Sequence, residues 1–425
     1  MHSHHRVRHA TAAALLAVCI ASAAAARADT ARPLSLEEAA SIAAQRSAKL
    51  AAQSKAILAA GEMEARAGAL PDPKLRFGID NLPVNGPDAW QYDKDFMTMR
   101  RIGLMQEIVN GAKRRARTAR AASERQVEEA TLAIDRANVR REAGLAWYET
   151  FHALRSLEVL QDLVKVGAVQ QETIAAAIAG GRANAAEGYA VRAGVEEARD
   201  AVLEQERVLA KARIQLARYV GEAAERPLAA PPDTGKLSGS AEAMFASLDR
   251  HPTLAVYDAR ESLARSEIEL AKSGKRPDWA VELLYGQRAP AFSNMITLMF
   301  SVDLPVFAKN RQDRDVAAQM AQLEKLDAER EDARRAYASM VRSELVDWET
   351  WNRRVERYDQ VLLPLAEERV KAALAAYRGG RSELGAVLTA RKAEAEVRLA
   401  RHDALLERGR AWVTLNFLAH EEGER

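Results

Sequence analysis

The sequence contains very little cysteine, few aromatic residues, almost no net charge and, after its N-terminal segment, no long uncharged run. Of its 425 residues, one is cysteine and 5% are aromatic, and the formal net charge is +2. A single cysteine cannot form a disulfide within the chain, and a balanced charge gives no support to a nucleic-acid-binding protein. Beyond the N-terminal segment, the longest stretch without a charged residue is Ala289–Val302, whose 14 residues are too few for a transmembrane helix.

Residues 1–28 have the form of a cleavable secretory signal peptide. Arg6 and Arg8 precede an apolar run from Ala10 to Ala26, and small residues at positions 26 and 28 offer a cleavage site before Asp29. Three of the 62 basic residues lie in this segment and no acidic residue does, so the mature chain carries 59 basic and 60 acidic residues, a net charge of −1. The sequence therefore predicts an exported protein.

Cys19 lies inside this segment, and two interpretations of it stay open. The residues before it begin like a lipoprotein signal, which makes Cys19 a candidate lipidation site. Because Val18 stands where that signal requires a small residue, we favour Cys19 as one more apolar residue of the signal-peptide core. The mature chain then has no cysteine, which excludes thiol catalysis.

The sequence contains no pattern typical of an enzyme site. The four histidines of the mature chain, His152, His251, His402 and His420, are isolated from one another in the sequence. No phosphate-binding glycine loop is present, so we predict neither an enzyme nor a bound cofactor or metal.

After the signal peptide, the chain consists of two copies of one unit. Three landmarks recur in the same order: AGALPD at 67–72 and SGKRPD at 273–278, YET at 148–150 and WET at 348–350, and Gly-Gly-Arg at 180–182 and 379–381. An ordered series of this kind marks an internal repeat. We predict a signal peptide at 1–28, a first repeat at 29–221, a proline- and glycine-rich linker at 222–240 and a second repeat at 241–425.

Each repeat is predicted to begin with a helix. In the first repeat, Ser35 is a candidate N-cap, and Glu38 stands at the spacing of a capping box. Residues that favour helices continue to about Gly68, and Pro71 follows shortly after. The pattern predicts one helix from Ser35 to about Gly68.

Two short segments with period-two alternation follow the helix in each repeat. In the first repeat they are Leu75–Ile79 and, less regularly, Phe96–Gln106; in the second they are Trp279–Tyr285 and Ile296–Leu304. Their length, alternation and aromatic ends are typical of strands in a membrane barrel. The alternative is two hairpins packed on a soluble helical domain. Because the sheet of one chain leaves open edges, which lipid does not tolerate, the barrel interpretation requires several chains.

A very long helix and a returning helix are predicted after each hairpin. The first runs from about Gly111 to Ala179, roughly 100 Å as a continuous helix, and a second returns from about Arg182 to Val220. In the second repeat the matching helices are predicted at about 309–377 and 381–418. Pro364, and Gly167 at a similar depth of the first repeat, predict a bend or break in each long helix. Apolar residues recur at spacings of 3 and 4, which indicates seams for neighbouring helices.

This arrangement resembles the TolC-like outer-membrane factors of Gram-negative tripartite efflux pumps. The opening PLSLEEAASIAAQRSAKLA resembles the start of the mature chain in that family. The stretches QEIVNGAKRRAR and DLPVFAKNRQDR resemble its strand-to-helix junctions, and GGRANAAEGYAVRA and YRGGRSELGAVLTARKAEAE resemble its helix-tip motif. The stretch LPDPKLRFGIDNLPV is most similar to the heavy-metal branch of the CzcC and CusC type. The resemblance covers essentially the whole mature chain.

The resemblance implies a fold that is mainly α with a small β part, built from two tandem repeats of a helix, a hairpin and a long helix pair. It implies a homotrimer whose 12-stranded β-barrel, four strands per chain, lies in the outer membrane and continues as a long periplasmic α-helical barrel. The implied function is a passive efflux conduit, in this branch for heavy-metal cations. The implied partners are outer-membrane lipid, a periplasmic adaptor (membrane fusion) protein and an RND-type proton-driven pump of the inner membrane.

The resemblance also places the functional residues at the periplasmic helix tips, where polar and charged side chains close the tunnel. Aligned on the glycines, Glu187 takes the acidic position of the entrance and Tyr377 the tyrosine before the tip, whereas the second repeat has Ala386 at the acidic position. We predict a cation-favouring ring of three Glu187 side chains. The predicted closing contacts are Arg182, Arg381, Glu383 and Arg391, and the predicted tip turns are Gly180, Gly181, Gly379 and Gly380.

Two other functions are compatible with long helices in an exported protein. A periplasmic helical-hairpin adaptor is the first, but adaptors flank their hairpins with β-rich domains, and only four short strands are predicted here. A structural coiled-coil protein is the second, but it leaves the duplicated hairpins unexplained. The sequence therefore favours the channel.

Overall fold

A computed structural model describes residues 32–181 and 183–419. The signal peptide, Cys19 and Arg182 lie outside the described residues. The predictions made for them stay predictions.

The described residues form α-helices and one β-sheet, and the order of these elements repeats along the chain. The first half contains α1 (Leu36–Arg46), α2 (Ala48–Ala67), β1 (Lys74–Asp80), β2 (Met99–Ile108), α3 (Gly111–Ala179) and α4 (Ala185–Val220). The second half contains α5 (Ala241–Ala246), α6 (Pro252–Ser273), β3 (Trp279–Gln287), β4 (Met295–Val302), α7 (Gln312–Arg357), α8 (Leu363–Arg378) and α9 (Leu384–Ala419). This order confirms the predicted mainly α fold with a small β part. None of the described helices has an apolar stretch of the length needed to cross a bilayer.

The chain divides into two compact units, and each takes residues from both halves of the sequence. Within the described residues, the helical unit comprises 32–50, 135–251 without residue 182, and 336–419. The sheet unit comprises Ala51–Ile134 and Pro252–Arg335. Each unit therefore contains corresponding parts of both repeats.

The first predicted helix is in fact two helices. The Ser35 hydroxyl accepts a hydrogen bond from the Glu38 amide at 3.1 Å, which confirms the predicted N-cap. The prediction of one continuous helix to about Gly68 is wrong, because the helix ends before Ser47. The backbone of Ser47 is extended, and its hydroxyl accepts a hydrogen bond from the Leu50 amide at 3.3 Å. Ser47 thus caps a new helix, as serine does when its side chain replaces a backbone partner.

The two long helices differ at the depth where a weak point was predicted. In the first half that prediction is wrong, because α3 continues through Gly167 without a break. A Cβ atom at Gly167 would lie 2.7 Å from Cγ2 of Val195, so this glycine allows α4 to approach α3 closely. In the second half the prediction is confirmed. A π-helical turn, Tyr358–Leu362, separates α7 from α8, and Pro364 lies in the first turn of α8, where its missing amide hydrogen is tolerated.

The core of the helical unit is centred on Trp147, which is fully buried in α3. Its ring stacks on Phe151 with centroids 5.4 Å apart. Its indole Nε1 donates a hydrogen bond to the carbonyl of Leu34 at 2.9 Å. Tryptophan buries a large apolar area but also carries one donor that needs a partner, and Leu34 supplies that partner.

The predicted linker packs against this core. Leu228 forms a parallel bridge with Leu34, and the amide of Leu34 donates to the carbonyl of Pro227 at 2.7 Å. The side chain of Arg226 is buried and forms an ion pair with Glu38 at 2.9 Å. The Glu38 carboxylate therefore pairs with Arg226, whereas the predicted capping box would have had it accept a hydrogen bond from the Ser35 amide. The linker thus packs as part of the core of the helical unit.

His152 of α3 and His402 of α9 form a second buried contact in the helical unit. Their ring centroids lie 6.2 Å apart, and the Nδ1 atom of each ring is buried without a hydrogen-bond partner. Burial, as the main cause, together with the nearby His402 and Arg408 lowers the pKa of His152 to about 3. His152 is therefore neutral in the folded protein, and protonation disfavours this packing.

We expect the fold to lose stability in acid through His152. Because the pKa is depressed on folding, the stabilisation is present above the unfolded value of about 6.5 and is lost as the pH falls below it. At pH 5 the loss amounts to about 2 kcal/mol in the free energy of unfolding. A His152→Phe variant is expected to lose about 2 kcal/mol less than the wild type between pH 7 and pH 5, measured by chemical denaturation. Equal losses in both proteins would contradict this assignment.

Candidate functional site: a two-faced sheet and the helix tips

The four strands form one antiparallel sheet in the order β1-β2-β3-β4. The register places Phe77, Ile102, Tyr285 and Ile296 side by side across the four strands. Because side chains alternate between faces along a strand, this row fixes which residues share a face. The second strand was predicted to begin at Phe96 and begins instead at Met99.

One face of the sheet is apolar and exposed. Three polar residues, Arg100, Gln106 and Gln287, also lie on this face. Its apolar residues are Leu75, Phe77, Ile79, Ile102, Leu104, Ile108, Trp279, Val281, Leu283, Tyr285, Ile296, Leu298, Phe300 and Val302. The most exposed side chains on it are those of Phe77, at 81%, and Ile296, at 74%. A continuous exposed apolar face of this kind marks a surface that contacts a partner or lipid. The face predicted for β3 from its alternation, Trp279 to Tyr285, is confirmed.

The opposite face carries all the charged residues of the strands except Arg100. Three ion pairs lie on it, Lys74–Glu107, Arg76–Glu282 and Arg101–Asp80. Small residues such as Gly103, Thr297 and Ser301 occupy other positions on this face, together with Leu284 and four methionines. The sheet therefore has one largely apolar face and one face that holds its three ion pairs, which we call the polar face.

An aspartate of the second half ties the end of β2 to the start of α3. Oδ1 of Asp278 accepts hydrogen bonds from the backbone amide and the side-chain amide of Asn110, both at 2.7 Å. Oδ2 of Asp278 pairs with Lys113 at 2.6 Å. Asn110 in turn caps α3, because its Oδ1 accepts from the Lys113 amide at 2.8 Å. Asp278 belongs to the repeated SGKRPD landmark, but the sequence did not indicate this partner.

After α3 and after α8, a Gly-Gly pair forms a turn. Gly181 and Gly380 have φ angles of +68° and +66°, the left-handed region that favours glycine. After α8, the amide of Gly380 donates to the carbonyl of Tyr377 at 3.0 Å, and the amide of Arg381 donates to the carbonyl of Ala376 at 2.9 Å. This hydrogen-bond pattern is the Schellman motif that ends helices. The first glycine of the second pair, Gly379, has an ordinary φ of −83°.

The two glycines of the second pair are expected to respond differently to substitution. Gly380→Ala forces an alanine into the left-handed region and is expected to lower the free energy of unfolding by about 1–2 kcal/mol. Gly379→Ala is the matched control, since its φ suits alanine and the nearest atom to a new Cβ is the Ala375 carbonyl at 3.4 Å. Denaturation of both variants measures the difference. Equal losses would show that the turn does not depend on the left-handed conformation.

The tips of both repeats meet in one concave surface of the helical unit. Its volume is about 750 Å³. The lining residues are Ala183, Glu187, Tyr377, Arg378, Gly380, Arg381, Ser382 and Glu383. Four of the predicted site residues, Glu187, Tyr377, Arg381 and Glu383, therefore lie together. An apolar cluster that includes Ile174, Val191, Leu384 and Val387 packs behind them.

Glu187 also has a structural role that the sequence reading missed. Its amide donates to Oδ1 of Asn184 at 3.0 Å, and its Oε1 accepts from the amide of Asn184 at 3.2 Å. This reciprocal capping box starts α4. The signal was present in the sequence, because NAAE has the required spacing of an N-cap residue and a glutamate three residues on.

Arg391 lies outside the tip concavity. It pairs with Glu394 of its own helix at 3.0 Å, and Glu394 is buried. Arg391 lines a separate cavity of about 240 Å³ bordered by α3, α4 and α9, together with Gly167 and Gly194. The structure therefore does not bring Arg391 together with the other four residues.

Comparison with known proteins gives a class of fold. CusC, whose structures concern folding and transmembrane channel formation, is 14% identical with a TM-score of 0.73 over 89% of this chain and 90% of that one. The CmeC outer membrane channel of Campylobacter jejuni is 12% identical with a TM-score of 0.73, over 92% and 87%. The open-state MtrE outer membrane channel of Neisseria gonorrhoeae is 15% identical with a TM-score of 0.69, over 90% and 88%. The chain therefore has the fold of outer-membrane channel proteins.

A family model narrows this class for the second half of the chain. Residues 246–419 match the model described as outer membrane efflux protein. No curated protein matches the sequence. The matched segment covers most of the predicted second repeat.

Proposed function

We propose that this protein is the outer-membrane channel of a Gram-negative tripartite efflux system. It acts as a passive conduit rather than as an enzyme. Its sheet lies in the outer membrane and its long helices extend into the periplasm. The similarity to outer-membrane channel structures and the match to the efflux family support this proposal.

The two-faced sheet is the observation that carries the proposal. Phe77 and Ile296 are the most exposed side chains of its apolar face, and Arg76 and Glu282 pair on its polar face. A strand of a membrane barrel needs this division, because one face contacts lipid and the other lines water. A soluble hairpin packed on a helical domain would bury the apolar face instead.

The edges of the sheet support assembly from several copies, and the resemblance to the channel family supplies the number three. Among the residues that the structure describes, β1 and β4 each pair with one strand only, so the outer edge of each has no neighbouring strand. Lipid does not tolerate such open edges, and closure of a barrel satisfies them. Three copies of a four-stranded sheet give a barrel of about 12 strands, within the range of outer-membrane barrels. We propose that β4 of one copy pairs with β1 of the next.

The helix tips are the proposed contact with the other parts of the system. We propose that they meet a periplasmic adaptor protein, which connects the channel to an RND-type proton-driven pump in the inner membrane. The concave surface with Glu187, Arg381 and Glu383 is the proposed gate. Arg182 remains part of this proposal, and Arg391 has a place in it only if the tips rearrange.

We propose heavy-metal cations as the exported substrate. The support is the similarity of residues 70–84 to the heavy-metal branch, together with the carboxylates of Glu187 and Glu383 at the tip. Accumulation of metal ions in cells that lack this protein tests the substrate. Unchanged accumulation of every metal tried, with an intact pump present, would contradict it.

Cell fractionation tests the proposed location and assembly. We expect the protein in the outer-membrane fraction as a trimer that dissociates only on heating. A soluble periplasmic monomer would reject the channel. The same experiment also separates the channel from a periplasmic adaptor.

The charge of Glu187 is expected to favour cations at the tip. Glu187→Gln keeps a side chain that can complete the capping box but removes the charge. We expect the ratio of cation to anion permeability in single-channel recordings to fall about twofold or more. Glu196→Gln, an exposed glutamate paired with Arg199 on the same helix, is the matched control and should change little. An unchanged ratio in Glu187→Gln would exclude Glu187 from the gate.

A further inference from the structure

Arg76 and Glu282 form an ion pair that joins the two repeats across the polar face of the sheet. Nη1 of Arg76 lies 2.9 Å from Oε1 and 3.1 Å from Oε2 of Glu282. The side chain of Glu282 is 10% exposed, and that of Arg76 is 59% exposed. The Glu282 carboxylate is therefore mostly buried, and the part of the ion pair that is exposed is the arginine side chain.

The pair spans two strands that are not neighbours. Arg76 lies on β1 and Glu282 on β3, with β2 between them. The residue of β2 opposite Arg76 is Gly103, and the residue opposite Glu282 is Met105. Gly103 has no side chain, and the Leu284 side chain packs over it, since a Cβ at Gly103 would lie 2.8 Å from Cδ2 of Leu284. Arg76 therefore crosses β2 at a residue that places no side chain in its path.

The two residues occupy equivalent positions of the two repeats. Their separation of 206 residues equals the offset between AGALPD at 67–72 and SGKRPD at 273–278. One repeat therefore places a cation and the other an anion at the same position of the hairpin. In a closed ring of three chains, three arginines and three glutamates then alternate at one level.

The neighbouring charges on this face are also paired with opposite charges. Lys74 pairs with Glu107 toward the helical end of the strands, and Arg101 pairs with Asp80 toward the loops. The three cations and three anions of these pairs cancel. Single-sign rings of charge, in contrast, are how channels select ions of one sign.

We propose that the Arg76–Glu282 pair sets the ion selectivity of the strand end of the channel. Because the two charges cancel at the level where both repeats contribute, this end does not select ions by the sign of their charge. The inference rests on the proposed function, because it requires that the polar face line the conduit. Ions of either sign then pass this level, and the preference for cations arises at the helix tips.

Reversal potentials of the reconstituted full-length protein in a salt gradient of potassium chloride test this proposal. Glu282→Gln leaves Arg76 unpaired, and we expect the ratio of cation to anion permeability to fall about two- to threefold. Arg76→Gln leaves Glu282 unpaired, and we expect the ratio to rise by a similar factor.

Two double variants are the controls. Arg76→Gln with Glu282→Gln removes both charges, and Arg76→Glu with Glu282→Arg exchanges them; both are expected to keep the wild-type ratio. If all four variants conduct with the wild-type ratio, the selectivity role is wrong while the channel stands. If one single variant fails to assemble, the permeability ratios of the other single variant and of the exchanged pair test the proposal. If the wild type itself forms no channels, the proposed function fails and this inference fails with it.

Discussion

A Leu298→Arg substitution is expected to prevent assembly of the protein in the outer membrane. Leu298 lies on the apolar face of β4 and is 57% exposed. Arginine at such a position of a membrane barrel costs about 2–4 kcal/mol when it faces the middle of the bilayer. A trimer carries the substitution three times. We therefore expect a large loss of trimer from the outer-membrane fraction, measured by fractionation and electrophoresis without heating.

The preceding residue offers a matched control. Thr297 lies on the same strand but on the polar face, opposite Leu284. Thr297→Arg introduces the same side chain into the water-lined side, so assembly is expected to stay close to that of the wild type. Equal losses in both variants would show that the two faces do not have different environments, and the assignment of the apolar face to lipid would be wrong.

A Trp147→Ala substitution is expected to have the largest effect on the stability of the helical unit. Trp147 is fully buried, stacks on Phe151 and donates a hydrogen bond to Leu34. Replacing a buried tryptophan by alanine leaves a cavity, and we expect a loss of about 3–5 kcal/mol in the free energy of unfolding. Chemical denaturation followed by circular dichroism measures this loss.

Two further variants separate the contributions to this effect. Tyr189→Ala removes an aromatic side chain that is 69% exposed in the same unit, and it is expected to change the stability by less than about 0.5 kcal/mol. Trp147→Phe keeps much of the packing and removes the indole donor, while the Leu34 carbonyl still accepts from the Ala229 amide at 3.0 Å. A loss for Trp147→Ala no larger than that of Tyr189→Ala would contradict the central place of Trp147 in the core.

The order of helices and strands was predictable because the same sequence pattern occurs twice, once in each repeat. Alternation from Trp279 to Tyr285 is a local pattern, and the structure confirms both the strand and its apolar face. The Gly-Gly pairs were predictable as turns for the same reason, since few other residues adopt the left-handed conformation of Gly181 and Gly380.

The failures at Gly167 and in β2 come from contacts between distant segments, whereas the break at Ser47 comes from a local cap. Gly167 predicts a weak helix when it is read alone, but its partner Val195 explains it as a close approach of two helices. The adjacent Arg100 and Arg101 disturb the alternation of β2 for a similar reason. Arg100 lies over the ring of Tyr92, and Arg101 pairs with Asp80 on the polar face. No local pattern reveals these partners.

The candidate site was predictable in composition but only partly in geometry. The family motif pointed to Glu187, Tyr377, Arg381 and Glu383, and these four residues line one concavity. Arg391 stands two turns into α9, where its spacing to Glu394 favours an ion pair on the same helix. Resemblance to a motif supplies positions, but it does not say which side chains already have partners.

Single-channel recording of the purified protein in a planar lipid bilayer tests the central claim most directly. The proposed trimeric conduit predicts discrete conductance steps of uniform size from the heat-modifiable trimer, and no such steps from the same preparation after boiling. A folded trimer that inserts into the bilayer but gives no conductance steps over a wide range of protein concentration would contradict the claim that this protein is a channel.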